Sequence, residues 1–285
     1  MKQFFNEYVA AIFRTRQGLI GGVLLAVFIF TAVFGGSLIE LDQTVYYEQR
    51  YQTPTLEHLL GTDYLGRDIL AQLVHGTKDV LLMGSITGVI TILIGFTVGA
   101  LAGLCGKRLD RFILFFVDLV LTIPSFPITM MLILAVENKS ALFVALLMSL
   151  FAWGVVAREV RAQILTMRQS EFIVICKVMG LSRWYIIFCE MLPNMVSLLA
   201  IKFINAMRDA INNSMGLMLL GAMPFSPTHW GIILNTALTQ TGGFFNPKGY
   251  IYLLSPILCL GLFQLSCYLF TSGLDEAMNP RLRKR

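Results

Sequence analysis

Five stretches of this chain are long enough to cross a lipid bilayer and carry no charged side chain: residues 17–39, 80–106, 119–136, 140–157 and 249–274. A hydrocarbon core roughly 30 Å thick takes about 20 residues wound as a helix, each rising ~1.5 Å. No water reaches that depth, so every backbone amide and carbonyl needs a partner within the protein, and a helix supplies one inside its own segment. A sixth stretch, residues 194–222, is apolar but interrupted by Lys202, Arg208 and Asp209. Of 285 residues, 56% are hydrophobic and only 14% charged, where a soluble domain carries about 25% charged. The expected fold is all-α and polytopic, with about six transmembrane helices.

Loop charge sets the orientation, because cytoplasmic loops carry the excess of Lys and Arg. With the N-terminus inside, Lys2, Arg14 and Arg16 are cytoplasmic. So are Lys107, Arg108 and Arg111 after the second helix, and Arg158, Arg161, Arg168, Lys177 and Arg183 after the fourth. Arg281, Arg283, Lys284 and Arg285 form an inside tail, while Arg50, Arg67, Lys78, Lys139 and Lys248 fall outside. Both termini are therefore expected inside. The expected organisation is a cytoplasmic segment 1–17, a first transmembrane helix 18–40 and an extracytoplasmic segment 41–79. A core transmembrane domain 80–274 follows, with a long cytoplasmic loop 158–193, and then a tail 275–285. The first apolar run is too long for a cleaved signal peptide, and residues 34–37 make a weak cleavage site.

Lipid tails give helices no hydrophobic reason to pair, so close backbone approach decides packing. Gly84, Gly88, Gly95, Gly99 and Gly103 fall near one face of the second helix, which invites a neighbour. Pro124 and Pro127 interrupt the third span and must break its hydrogen-bond ladder, as a plain kink or as a constriction lining a pathway. Lys202, Asn205, Asp209 and Asn212 fall at i, i+3, i+7 and i+10, on one helical face, flanked by Arg208. Charge at bilayer depth is costly unless paired or wet. The stripe is expected to face a polar pathway or a partner subunit. The alternatives are an ion pair that only fixes packing, or Lys202 reaching to the interface. Asp118 is a candidate partner for one of these cations.

The chemistry of an enzyme is missing. The three histidines, His58, His75 and His229, have no metal-ligand spacing, and no GxSxG elbow or GxxxxGK[ST] phosphate loop occurs. Five cysteines without a CxxC pair read as apolar packing residues. A net charge of +5 without basic–aromatic clustering argues against nucleic acid as a partner. No metal and no cofactor are expected in this chain.

The segment Leu60-Gly61-Thr62-Asp63-Tyr64-Leu65-Gly66-Arg67-Asp68-Ile69-Leu70 resembles the LGTDxLGRDxL segment of the second, C-type permease subunit of dipeptide, oligopeptide and nickel ABC importers. Its glycines suit tight turns, and Asp68 is placed to cap the helix that follows. Val117-Asp118 with Ile123-Pro124-Ser125, the run Ala157–Gln163, Trp230-Gly231 and the ending 275–282 resemble further pieces of the same family in order. The resemblance implies a type I importer permease in a bacterial inner membrane. Such a permease pairs with a second, homologous permease subunit as a heterodimer. Two ATP-binding subunits, which hold ATP and magnesium, and an extracytoplasmic solute-binding protein complete the assembly.

In that family a Glu-Ala-Ala segment, a glycine and a downstream Ile-x-Leu-Pro mark a cytoplasmic helix that seats in the ATPase. Here Gly180, Leu192 and Pro193 keep the spacing, behind Glu171. Val174, Ile175 and Cys176 stand where Glu-Ala-Ala is usual, and Glu190 replaces the isoleucine. The apolar run Phe172–Cys176 is expected to fill the ATPase groove, with Gly180 making the turn after it. Peptides, nickel or metal chelates and oligosaccharides are all solutes of such permeases, and peptides suit the mixed-sign stripe. An ion-gradient-driven carrier or a membrane scaffold without transport are the rival readings. The first would need acidic residues in repeated, inverted positions, and the second would not need the coupling loop.

Overall fold

The computed structural model describes residues 15–104, 106–136, 140–222 and 226–278. Lys2, Arg14, Cys105, Lys139, Arg281, Arg283, Lys284 and Arg285 lie outside them. Helix α1 runs Arg16–Leu38, with Gly18 N donating to the Thr15 hydroxyl at 3.1 Å as its N-cap. Helix α2 runs Ile69–Leu104, eleven residues earlier than its uncharged stretch. Lys78 and Asp79 mark depth in the membrane and leave the helix intact. Its true start is set by Asp68, whose carboxylate accepts from Ala71 N at 2.7 Å.

Helices α3 (Lys107–Thr122) and α4 (Ser125–Leu134) meet at a 72° bend. Pro124 stops the first, and Pro127 sits in the first turn of the second, where no amide hydrogen is needed. Helix α5 is Ala141–Met167 and α6 is Glu171–Val178. Helix α7 runs over Arg183–Leu219, so the helix that carries the fifth span begins well before residue 194. Helix α8 (Trp230–Thr239) is short and apolar, and α9 is Tyr250–Met278. Among the described residues, five helices have the length and hydropathy to cross a membrane, and there are six if the bent α3–α4 pair counts as one span. The described residues are helices and connections, with one isolated bridge between Thr62 and Asp68.

The chain forms two compact units, divided within α2 and α7. In the first (Met1–Gly84, Met130–Ala141 and Arg208–Arg285), α1 lies against α9. Phe28, Trp230 and Phe263 cluster at 5.4–6.5 Å between ring centres, and the buried Trp230 indole donates to Leu73 O at 3.1 Å. In the second (Ser85–Thr129 and Leu142–Met207), Gly95, Gly99 and Gly103 of α2 meet Val156, Ala157, Val160 and Ile164 of α5. A Cβ on Gly99 would come within 2.5 Å of Ala157 O. The glycine face of α2 therefore does receive a helix.

Candidate coupling helix and its supports

Helix α6 is short, and its ends are secured by its own sequence. Glu171 puts an acid in its first turn, where the helix dipole favours negative charge. At the other end, Gly180 adopts φ +74°. Gly180 N donates to Lys177 O and Leu181 N to Cys176 O, both at 3.1 Å. This pair of bonds satisfies carbonyls the helix would leave open, and it needs a left-handed residue at that position.

Ile173 is fully buried and packs with Phe96, Val160, Ile164, Ile187 and Met191; Cys176 lies against the same cluster. The run Phe172–Cys176 is thus split rather than forming one face. Ile173 and Cys176 point inward, while Phe172, Val174 and Ile175 point outward with Val178 and Met179. Val178 is 84% exposed and Met179 70%. A fixed helix showing this much uncovered apolar surface is a candidate contact for a partner.

Leu192 and Pro193 lie inside α7 and not at the end of a loop. A π turn, Ile186–Met191, directly precedes them, and Leu192 N donates five residues back to Ile187 O. Proline cannot donate and crowds the carbonyl four residues earlier, so a widened turn gives it room. Asn194 Nδ2 donates to Glu190 O at 2.7 Å, taking up one of the carbonyls there.

Three ion pairs tie α5 to its neighbours in this unit. Arg158 reaches Asp118 of α3 at 2.5 Å, and Arg161 grips Asp110 with two bonds of 2.5 and 2.6 Å. Glu159 holds Lys202 of α7 at 2.5 Å. Asp118 therefore pairs with Arg158 and with neither Lys202 nor Arg208. The reason is that α5 continues to Met167, so residues read from sequence as a loop entrance are helical and face α3 and α7. From the sequence, Arg161 counted only towards topology and Glu159 only as part of the run Ala157–Gln163, and Asp110 was not named. Their signal was the charge pattern at 158, 159 and 161, opposite Asp110 and Asp118.

The rest of the stripe is less enclosed. Asn205 is half-buried, Asp209 and Asn212 are exposed, and Arg208 lies 3.5 Å from Asp209. Lys202→Glu is expected to lower the thermal midpoint in detergent, because it sets two carboxylates together. The swap Glu159→Lys with Lys202→Glu should recover most of the loss, and additive losses in the double variant would show that the pair does not interact.

The LGTDYLGRD segment proves to be a turn assembled around one carboxylate. Asp63 is fully buried. Its Oδ1 accepts from Leu65 N at 2.8 Å and Arg67 N at 2.9 Å, and its Oδ2 from Arg67 Nε and Gln72 Nε2, both at 3.0 Å. Thr62 donates to Gln49 O and accepts from Gln52 N, which holds the preceding strand of chain. Gly61 and Gly66 have φ +72° and +82°, and a Cβ on Gly66 would fall 2.1 Å from Tyr46 O. Asp68 caps α2 with one oxygen and meets His58 Nδ1 at 2.8 Å with the other. Leu60 is half-buried beside them.

On the same side of the chain, His229 caps α8 by accepting from Gly231 N at 3.1 Å. Burial pushes its imidazole down to about 3. Its folded value lies below the ordinary ~6.5, so its share of stability is complete above that pH and is lost as pH falls towards 3. The thermal midpoint should drop between pH 7 and pH 5, and His229→Asn, which retains a capping oxygen, should flatten that slope. An unchanged slope would remove His229 from the account.

Comparison with known proteins places this architecture. The family model described as the binding-protein-dependent transport system inner membrane component matches residues 95–284. The oligopeptide transport system permease protein OppC of Mycobacterium tuberculosis is 32% identical over 233 residues, covering 81% of this chain and 79% of that protein. The glutathione transport system permease protein GsiD of Pectobacterium atrosepticum is 28% identical over 285 residues, covering 98% and 92%. With its membrane-spanning helices and its residues 95–284 matching the family, the chain belongs to the inner membrane components of binding-protein-dependent transport systems, the multi-pass permease subunits of ABC importers.

Proposed function

We propose that this chain forms one half of the translocation pathway for peptides or peptide-like solutes. It pairs with a second, homologous permease to do so. Two ATP-binding subunits, carrying ATP and magnesium, drive the cycle from the cytoplasm, and an extracytoplasmic solute-binding protein delivers the solute. The observation that carries the reading is α6: an immobilised helix whose outer face is apolar and uncovered. Val174, Ile175, Val178 and Met179 enter the ATPase groove, and Gly180 and the π turn that makes room for Leu192 and Pro193 fix the angle at which they do so.

Asp209, Asn212 and the bend at Pro124 line the pathway or the permease–permease interface. The names of the oligopeptide and glutathione permeases support a peptide-like solute, and a stripe of both signs suits a zwitterion. Purification of the chain from its native membrane tests the whole assembly. A second permease, ATPase subunits and a binding protein should accompany it, and the ligand in the binding protein should be a peptide. A chain that purifies alone and transports without ATP would overturn the reading.

A further inference from the structure

An apolar groove of about 480 Å³ opens in the first unit between α1, the start of α2 and the first half of α9. Its floor is buried, formed by Leu73, Thr77 and Ser255, while Val27, Leu258 and Leu262 on its rim are 51–63% exposed. Both floor hydroxyls are spent on their own helices: Thr77 donates to Leu73 O at 2.8 Å and Ser255 to Tyr252 O at 3.4 Å. The floor thus turns hydroxyls whose protons are already committed, and hydrocarbon, towards the opening. A peptide or other polar solute would lose its water there and gain little in return.

The groove sits at a defined depth. It begins where α2 and α9 begin, at the extracytoplasmic end, and follows α9 from Ile251 to Leu262. Eleven helical steps are about 16 Å, close to one leaflet of a hydrocarbon core roughly 30 Å thick. Lys248 is exposed and stands three residues before Ile251, in the short 3-10 turn Pro247–Gly249 that leads into α9 at the end of the groove. A cation at headgroup level above a hydrocarbon-lined trough one leaflet deep complements an anionic phospholipid: phosphate above, acyl chain below.

We infer that this groove binds one acyl chain of an outer-leaflet anionic phospholipid, with Lys248 at its phosphate. The inference is independent of the solute the importer carries.

The test uses the assembled complex in nanodiscs of phosphatidylglycerol and phosphatidylcholine, with a phosphatidylglycerol probe bearing a diazirine on its acyl chain. Photolabel is expected on the peptides of α1 and α9 that contain Val27 and Leu258. Leu258→Trp, which fills the trough, should reduce labelling there to background, while Leu93→Trp, on an exposed position of α2 outside the groove, should leave it unchanged. Lys248→Gln should lower the preference for phosphatidylglycerol over a phosphatidylcholine probe by about fivefold, the effect of one lysine at an anionic surface. An unchanged thermal midpoint in Leu258→Trp shows that the loss of label is not a loss of fold. Labelling that survives Leu258→Trp overturns the site, as does crosslinking of groove residues to a helix of the second permease in place of lipid. A phosphatidylglycerol preference unaffected by Lys248→Gln overturns the assignment of the headgroup.

Discussion

Gly180→Val is expected to leave the importer assembled and its ATPase active while solute uptake falls by about five- to a hundredfold. Gly180 holds φ +74°, and nothing lies within 4 Å of the position a Cβ would take. Within this chain the substitution therefore meets no neighbour, and its effect there is backbone strain. A β-branched residue in the left-handed region costs about 1–3 kcal/mol, which at 1.4 kcal/mol per decade gives the stated range. The least costly escape is to release the two 3.1 Å bonds that close α6. Ile173 still holds the helix to its core, so the helix stays folded but its angle to α7 is no longer fixed. Gly180→Asn, which tolerates the left-handed conformation, should be far milder than Gly180→Val. Uptake and ATP hydrolysis measured on the same proteoliposomes decide the matter. Normal uptake in Gly180→Val would remove the coupling role from this turn.

Asp63→Ala is expected to remove most of the protein from the membrane. The carboxylate is fully buried and organises two backbone amides, one guanidinium and one side-chain amide. Its removal strands Arg67, whose side chain is 20% exposed. Breaking a buried pair in this way costs about 3–5 kcal/mol, a large share of the 5–15 kcal/mol by which a domain is stable. Asp63→Asn keeps an acceptor for the amides and should fall between. Membrane abundance and the thermal midpoint are the readouts. If Asp63→Ala accumulates normally yet fails to transport, the turn serves a contact with another protein and not the fold.

Much of this molecule was legible in its sequence, and the parts that were not share a cause. Uncharged length located the spans, because a charge in hydrocarbon is costly. The glycine face of α2, the break at Pro124, the cap at Asp68 and the turn at Gly180 were legible because each is a local backbone requirement. What charge could not show was where a helix ends. Lys78 and Asp79 stand well inside α2, and Arg158, Glu159 and Arg161 stand inside α5, because a helix leaving the membrane keeps its own hydrogen bonds in water. For the same reason the partner of Asp118 is not legible in the sequence: pairing depends on which faces of α3, α5 and α7 meet, and no single segment encodes that. The split of Phe172–Cys176 into inward and outward residues likewise depends on the cluster that receives Ile173.

The π turn at Ile186–Met191 also bears on how this protein tolerates changes in chain length. A π turn is an α-helix that has absorbed one surplus residue. Deleting a single residue there can collapse the turn to ordinary helix while everything downstream keeps its place, at the cost of crowding Pro193. The same deletion between Met195 and Ile201 finds no slack. It would rotate the flanking parts of α7 by about 100° and shift them ~1.5 Å, carrying Lys202 away from Glu159. Natural length variation in this helix should therefore concentrate in those six residues, and a deletion scan along α7 should show one tolerant window in an otherwise intolerant rod.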